Sequence, residues 1–320
     1  MDATKGAALI AAAEIGSFTA AARQLGYTQS GITRMVASLE SELGFALCIH
    51  TKQGVALTEN DRRMLPHLRE IVRAERVIEE SGAEIRGVVS GTLTVGSYYN
   101  ISAIWIPEVL STSEKSYPGI DVALKEGGNQ EMGQWLNSRA VDLCFCAKPS
   151  QGTYCDWKAL YEDEIVMWLP EGHPYADAPS YPIRELEHEA FIHTLADHDM
   201  DQDRLIREEK LHIEDHYETS NGFTTYNMVE AGLGVSFNQR LINRKWQGRV
   251  KEVPFEEPRH ISLGIAVPSL AEVSPAAKRF IACIERTSCR ALRHWPRAAP
   301  DLPACRGHSA RSRSLTESCT

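Results

Sequence analysis

Gln29, Ser30, Thr33 and Arg34 lie within six residues of one another, in a stretch with no acidic residue from Ser17 to Leu39. Gln and Arg side chains can hydrogen-bond base edges or phosphate oxygens, and Ser and Thr can do either over short range. The chemistry on offer is recognition, not bond making. No GxSxG, HExxH, P-loop or GxGxxG stands in a useful context, and no nucleophile–base or metal set stands out. Neither an enzyme nor a cofactor is expected.

For these side chains to face a partner together, a helix must carry them and a second helix must brace it. Ser17 is placed to cap the bracing helix, whose Ala20, Ala21, Ala22 and Leu25 are small and apolar enough for close packing. Gly26 stands where a helix needs a residue that tolerates positive φ, and Thr28 can cap the next helix. There Ile32, Val36, Leu39 and Leu43 form one apolar stripe, leaving Gln29, Ser30, Thr33, Arg34, Ala37 and Ser41 mostly on the other side. Glu40 and Glu42 come only at the C-terminal part. This is the pattern of a helix-turn-helix whose second helix enters a DNA groove. An αα-hairpin with a merely solvated face is the alternative; caps, turn and acid-free face agree against it.

The chain here resembles the LysR-type transcriptional regulators. The resemblance runs through Gly16-Ser17-Phe18, Ala21-Ala22, Leu25, Gln29-Ser30, Arg34, Leu39-Glu40 and Leu43-Gly44, then a wing with Gly54-Val55 and Leu57-Thr58. It implies a first helix of about Thr4 to Ile15, a recognition helix of about Thr28 to Leu43, and DNA contacts from Ser17, Thr28, Gln29, Ser30, Thr33, Arg34, Ser38, His50 and Lys52. Where the family usually has an aromatic residue and an arginine in the wing, this chain has Cys48 and His50. A histidine is a weaker, pH-dependent phosphate ligand.

Bulk charge does not argue for nucleic acid. The net charge is −9, and in the first 57 residues Lys5, Arg23, Arg34 and Lys52 only balance Asp2, Glu14, Glu40 and Glu42. Placement argues instead: an acidic sensor can coexist with a locally basic head. With 320 residues, 43% of them hydrophobic, the chain has ample core for two or more domains. No stretch approaches ~18 continuous apolar residues and no signal-peptide layout opens it, so no membrane partner and a cytoplasmic location are expected. The eight cysteines then read as thiols.

Thr58 with Asp61 resembles a capping box opening a long helix to about Ser81. Met64, Leu68, Ile71, Ala74 or Glu75, and Ile78 make a near-heptad seam, with Pro66 expected to bend it. The family uses this segment for antiparallel dimerisation. From Thr92 onward, strands alternate with helices: Thr92 to Gly96, Ile104 to Ser116 with Pro107 in its first turn, Ile120 to Lys125, Glu131 to Ser138, Val141 to Cys146. That alternation predicts parallel pairing with helical crossovers.

It also resembles the family's effector-binding domain at Pro118, Gly128, Asp142-Leu143, His173-Pro174 and Val229-Glu230-Ala231-Gly232-Leu233-Gly234. The expected fold is α/β overall: an N-terminal winged helix-turn-helix, all-α with a small wing (1–58), a long linker helix (59–87), and a C-terminal two-lobed effector-binding domain of periplasmic-binding-protein type (88–294). Lobe I is placed at about 91–164 and 260–292, and lobe II at about 165–259. The composition of 295–320, with no hydrophobic period, predicts a disordered tail.

Ligands in such folds sit where strand C-termini meet helix N-termini. The expected effector contacts are Tyr98, Tyr99, Asn100 and Ser102, then Gly128, Asn129 and Gln130, with Thr194, Ser220 and Asn221 across the cleft. Asn100 and Asn129 stand where family members often have Ser or Thr, which blocks transfer of any known ligand. Two further constellations carry blander readings. Cys144 and Cys146, with Cys155 nearby, could form a redox sensor, but strand cysteines amid Leu143 and Phe145 are more often core. The segment Glu187 to Asp203 holds His188, His193 and His198 among carboxylates without a tight metal spacing, and reads as an acidic, solvated surface.

The resemblance implies as partners double-stranded DNA, a small-molecule effector of unknown identity, a homodimer or homotetramer, and RNA polymerase if the protein activates. A solute-binding module without a DNA role is the rival reading; it leaves the first 80 residues unexplained.

Overall fold

The computed structural model describes residues 2–51, 54–243 and 246–293. Lys52 and the 295–320 tail lie outside them, as do the side chains of His50, Tyr99 and Asn100.

Each helix boundary of the head is set by a local cap. Helix α1 (Ala3–Ile15) begins at Asp2, whose carboxylate accepts the Lys5 N–H at 2.9 Å. Helix α2 (Phe18–Leu25) begins at Ser17, whose hydroxyl accepts the Ala20 N–H, and stops at Gly26 with φ 72°. Helix α3 (Gln29–Leu43) begins at Thr28, whose hydroxyl accepts the Gly31 N–H at 3.1 Å. Alanines at 8, 11, 12, 21 and 22 let α1 and α2 approach closely around Leu9, Phe18, Ile32, Val36 and Leu39. The wing pairs β1 (Cys48–Thr51) antiparallel with β2 (Gly54–Leu57), setting His50 opposite Val55. Glu40 ties wing to helix by accepting the Leu47 and Cys48 N–H groups at 2.7 and 3.0 Å.

Helix α4 (Glu59–Ile85) runs through Pro66 and ends four residues beyond the expected Ser81. Its apolar seam divides. Leu68 is 1% exposed and, with Met64, packs into the core of the head, whereas Ile78 and Ile85 stand 72% and 88% exposed. Another face of α4 is bound to the chain's own sensor half. Arg69 donates to the Ser138 carbonyl and pairs with Glu14 of α1, while Arg76 pairs with Asp142. Glu80 accepts the Ala276 N–H, and Glu84 pairs with Arg279.

The sensor half starts with β3 (Ser90–Tyr98), α5 (Tyr99–Ile104), α6 (Ile106–Ser116), β4 (Gly119–Gly127), α7 (Asn129–Asn137) and β5 (Leu143–Ala147). Strand β3 pairs in parallel with both β4 and β5, as the alternation predicts. The helix expected over 104–116 is α6, which starts two residues later at Ile106 with Pro107 in its first turn; a short α5 that was not expected precedes it, and the two meet at buried Trp105.

Beyond β5 come β6 (Asp156–Leu169), β7 (Phe191–Thr194), α8 (Asp201–Glu209), β8 (Asp215–Thr219), α9 (Gly222–Glu230), β9 (Ser236–Gln239), β10 (Lys251–Val267) and α10 (Pro275–Arg293). The main sheet has the order β4-β3-β5-β10-β6-β9, and a small parallel β7–β8 sheet lies beside it. Long antiparallel β6 and β10 run through both lobes, with a register shift between Pro254 and Arg259 where one lobe gives way to the other. Separate cores around Phe145 and Phe280 and around Phe191 and Phe237 mark the two lobes. Among the described residues no helix is long and apolar enough to cross a membrane.

Candidate functional site

The outward face of α3 carries Gln29, Ser30, Thr33 and Arg34, all exposed, with Ser38 half-buried. Its hydrogen bonds divide them. Thr33 donates back to the Gln29 carbonyl at 2.9 Å, while Thr28 and Ser17 serve as helix caps. The Ser30 hydroxyl lies 3.2 Å from that of Thr28. Gln29 and Arg34 are left with no side-chain partner among the described residues, so their donors are free for an incoming acceptor. The face remains acid-free because Glu42 turns to Lys5 and Glu40 turns to the wing.

A second constellation lies between the lobes. From lobe I, Tyr98 (2% exposed) and Ser102 (7%) are buried, each with a hydroxyl that meets no partner among the described residues. Gly128 caps α7, and Asn129 donates to the Asp199 carbonyl of lobe II at 2.6 Å. Gln130 points to solvent. From lobe II, the Thr194 hydroxyl lies 2.7 Å from that of Thr225, which in turn lies 2.6 Å from that of Thr219. Asn221 caps α9 by accepting the Thr224 N–H, and Ser220 is exposed. Thus Tyr98, Ser102, Asn129 and Thr194 are buried, whereas Gln130, Ser220 and Asn221 line the outside or hold a helix.

What faces lobe I most directly is the segment from Leu195 to Arg204. Arg204 donates to the Lys148 carbonyl at 3.0 Å and to the Ser150 hydroxyl at 2.8 Å, and Ser150 also bonds Asp199. A Cβ on Gly128 would come within 3.1 Å of Met200 Sδ, so the lobes touch there. Leu195, Asp197 and Asp199 all adopt left-handed backbone (φ 52°, 65° and 53°), costly for a non-glycine residue such as Leu195. The loop is held in this form by the bonds of Asp199 to Asn129, Ser150 and Arg204, by Leu195 N–H to the Thr219 carbonyl, and by Asp203, which accepts the Met200 and Asp197 N–H groups.

The reading of 187–203 as a solvated acidic surface is therefore corrected. His193 is 6% exposed, with Nδ1 2.9 Å from Asp215 and Nε2 3.1 Å from Asp203. Burial disfavours its charged form, but the two carboxylates outweigh burial and raise its pKa. Asp199 is held at about 2, its burial overcome by Arg204, Ser150 and Arg207. Asp201 is buried, and burial pushes its carboxyl up to about 6 although Gln239 donates to it. Gln202 anchors α8 by accepting the Thr194 N–H and donating to Ser236 and Phe237. Sequence patterning missed Asp199, Asp201, Arg204 and Gln239 because nothing in charge spacing tells a buried acid from a solvated one.

Cys144 and Cys146 are buried on β5, and burial drives both thiols well above their ordinary pKa. A thiol so held is a poor nucleophile, which counts against a redox reading of this pair.

Two family models match the chain. "Bacterial regulatory helix-turn-helix protein, lysR family" covers residues 6–60 and "LysR substrate binding domain" covers residues 86–288. Among curated proteins, the uncharacterized HTH-type transcriptional regulator YvbU of Bacillus subtilis (strain 168) is 27% identical over 272 residues, 84% of this chain and 92% of its own length. A full-length OxyR variant from Pseudomonas aeruginosa is similar in fold, with TM-score 0.74 at 21% identity over 90% of this chain and 94% of its own. Full-length CbnR in complex with target DNA gives TM-score 0.60 at 18% identity over 90% of this chain and 100% of its own.

Proposed function

This chain belongs to the LysR family of bacterial helix-turn-helix regulators, and we propose that it reads its operator through Gln29 and Arg34 and senses a small molecule between its two lobes. It is a DNA-binding transcriptional regulator with an effector-binding domain, not an enzyme. The observation that carries the reading is the α3 face, where two long polar side chains stand exposed and unpartnered with no acid beside them. Ser17, Thr28 and Thr33 hold the helix that carries that face, Ser30 and Ser38 extend it, and His50 and Lys52 of the wing are proposed as DNA contacts from the family resemblance alone.

The division into a reading head (1–58), a linker (59–87) and a sensor (88–294) belongs to the proposal. So does a dimer that sets two α3 helices on half-sites about one helical turn apart. Ile71, Ile78 and Ile85 recur every seventh residue on α4, and the exposure of the last two supports a seam there with a second copy. A homotetramer, and contact with RNA polymerase if the protein activates, follow from the family. The site of action is the cytoplasm, where the DNA lies. The effector would act by its differential affinity for open and closed lobes, which the linker's ion pairs to lobe I would pass to the head.

Footprinting of purified full chain on genomic DNA tests the reading. Gln29→Ala and Arg34→Ala should each lose specific protection while circular dichroism stays unchanged. Normal footprints from both variants would refute it.

A further inference from the structure

The loop and first turn facing lobe I carry four carboxylates, Asp197, Asp199, Asp201 and Asp203. Asp199 is paired by Arg204 and Arg207, Asp203 is paired by His193, and Asp197 is exposed. Neither Asp197 nor Asp201 has a cation within ion-pair distance among the described residues, and of these two only Asp201 is buried. Arg204 acts on it from farther away, but its donors go to Asp199, Ser150 and the Lys148 carbonyl.

The orphaned atoms around Asp201 are all acceptors or can be. Its Oδ2 accepts from Gln239 Nε2, leaving Oδ1 with no partner. The carboxylate fixes the amide's orientation, since a turned amide would set oxygen against oxygen, and Gln239 Oε1 is left unpartnered as well. Gln239 is 2% exposed. The third atom is Tyr98 Oη, on a side chain 2% exposed that belongs to the same packed cluster as Met200, the residue before Asp201. Leaving such groups buried and unmade is expensive, and a buried charge without a partner more so. Two helix N-termini of lobe II are closed to an anion: Asp201 and Asp203 fill the first turn of α8, and Asn221 caps α9.

We infer that the cleft takes an effector whose recognised end is a primary ammonium, its three N–H donors seated on Asp201 Oδ1, Gln239 Oε1 and Tyr98 Oη. The inference rests on the reading of the cleft as the effector site. An ammonium is compact, carries three donors and no acceptor, and supplies the one charge this set lacks. Entry requires the Leu195–Met200 loop to release Asn129 and Ser150, so loading the site and moving the lobes are one event.

Three probes of one skeleton test this on the full chain: butylammonium, butyramide and butyrate, with affinity from calorimetry and location from backbone hydrogen exchange. Butylammonium should bind, protect the 98–102 and 195–204 segments, and bind Asp201→Asn at least about tenfold more weakly, the scale of one lost charge-assisted bond. Tyr98→Phe keeps the ring and should weaken it several-fold, which guards against a folding defect in the first variant. Butyrate or butyramide protecting the cleft as well as butylammonium would leave the cleft reading standing and overturn the ammonium. Undiminished butylammonium binding by Asp201→Asn would also overturn it. Protection by none of the three, or only outside the facing loops, would remove the ammonium and the cleft together.

Discussion

Replacing Asp201 by Asn should make the empty protein more stable at neutral pH, an unusual result for a buried polar position. The carboxyl is displaced from its ordinary 3.8 to about 6, with burial as the main cause. At about 1.36 kcal/mol per pH unit, the displacement corresponds to a penalty of about 3 kcal/mol when the group is ionised. The sign follows from linkage. A folded-state pKa above the unfolded one means the native state holds its proton longer, so stability is fully present below 3.8 and is lost as pH rises through about 6.

Asn keeps the shape and an oxygen to accept from Gln239, but carries no charge. The variant and the parent should therefore be about equally stable near pH 4 and diverge by about 3 kcal/mol, variant ahead, by about pH 7.5. Urea unfolding of the full chain, followed by tryptophan fluorescence across that range, measures the difference; buried Trp168 in lobe II reports on the lobe that holds Asp201. Every other titrating group is common to both proteins and cancels. A stability difference that does not change with pH would refute the argument that Asp201 is an uncompensated buried acid.

Arg34→Ala should lower the slope of log affinity against log salt by about one if the guanidinium grips a phosphate, read from operator titrations at several salt concentrations. Thr28→Ala removes the α3 cap and should cost about 1 kcal/mol of stability, seen as a lower urea midpoint. His193→Gln should remove a stabilisation that is present below about pH 6.5 and fades as pH rises through the raised folded pKa, so the two proteins' melting temperatures should converge in alkali. Gly234→Ala would drive a methyl into the Ala190 carbonyl oxygen, a contact that only a backbone shift can relieve; a loss of about 2 kcal/mol or more in the urea midpoint is expected.

The head was legible because its signals are local. Ser17, Gly26 and Thr28 cap or stop helices within four residues of themselves, and the stripe of Ile32, Val36 and Leu39 follows from helical period alone. The parallel β3, β4 and β5 were legible for a similar reason: alternation with helices leaves few other topologies. The linker was half legible. Its apolar stripe was readable, but that Leu68 packs into the chain's own head was not, because that depends on where the head docks.

The cleft shows where pattern stops. Residues 187–203 look acidic and solvated when read along the chain, yet the fold lays them against Asn129 and Ser150 from more than forty residues away. The amino-acid sequence by itself determined a capped helix-turn-helix, a charged linker helix with one apolar stripe and an α/β sensor, because periodicity and caps act over one or two turns. Only the tertiary structure decided which carboxylates find cations. Asp199 meets Arg204 and Arg207, Asp203 meets His193, and Asp201 is buried without one. A charge's cost is set by what surrounds it in space, and those surroundings are assembled by long-range packing.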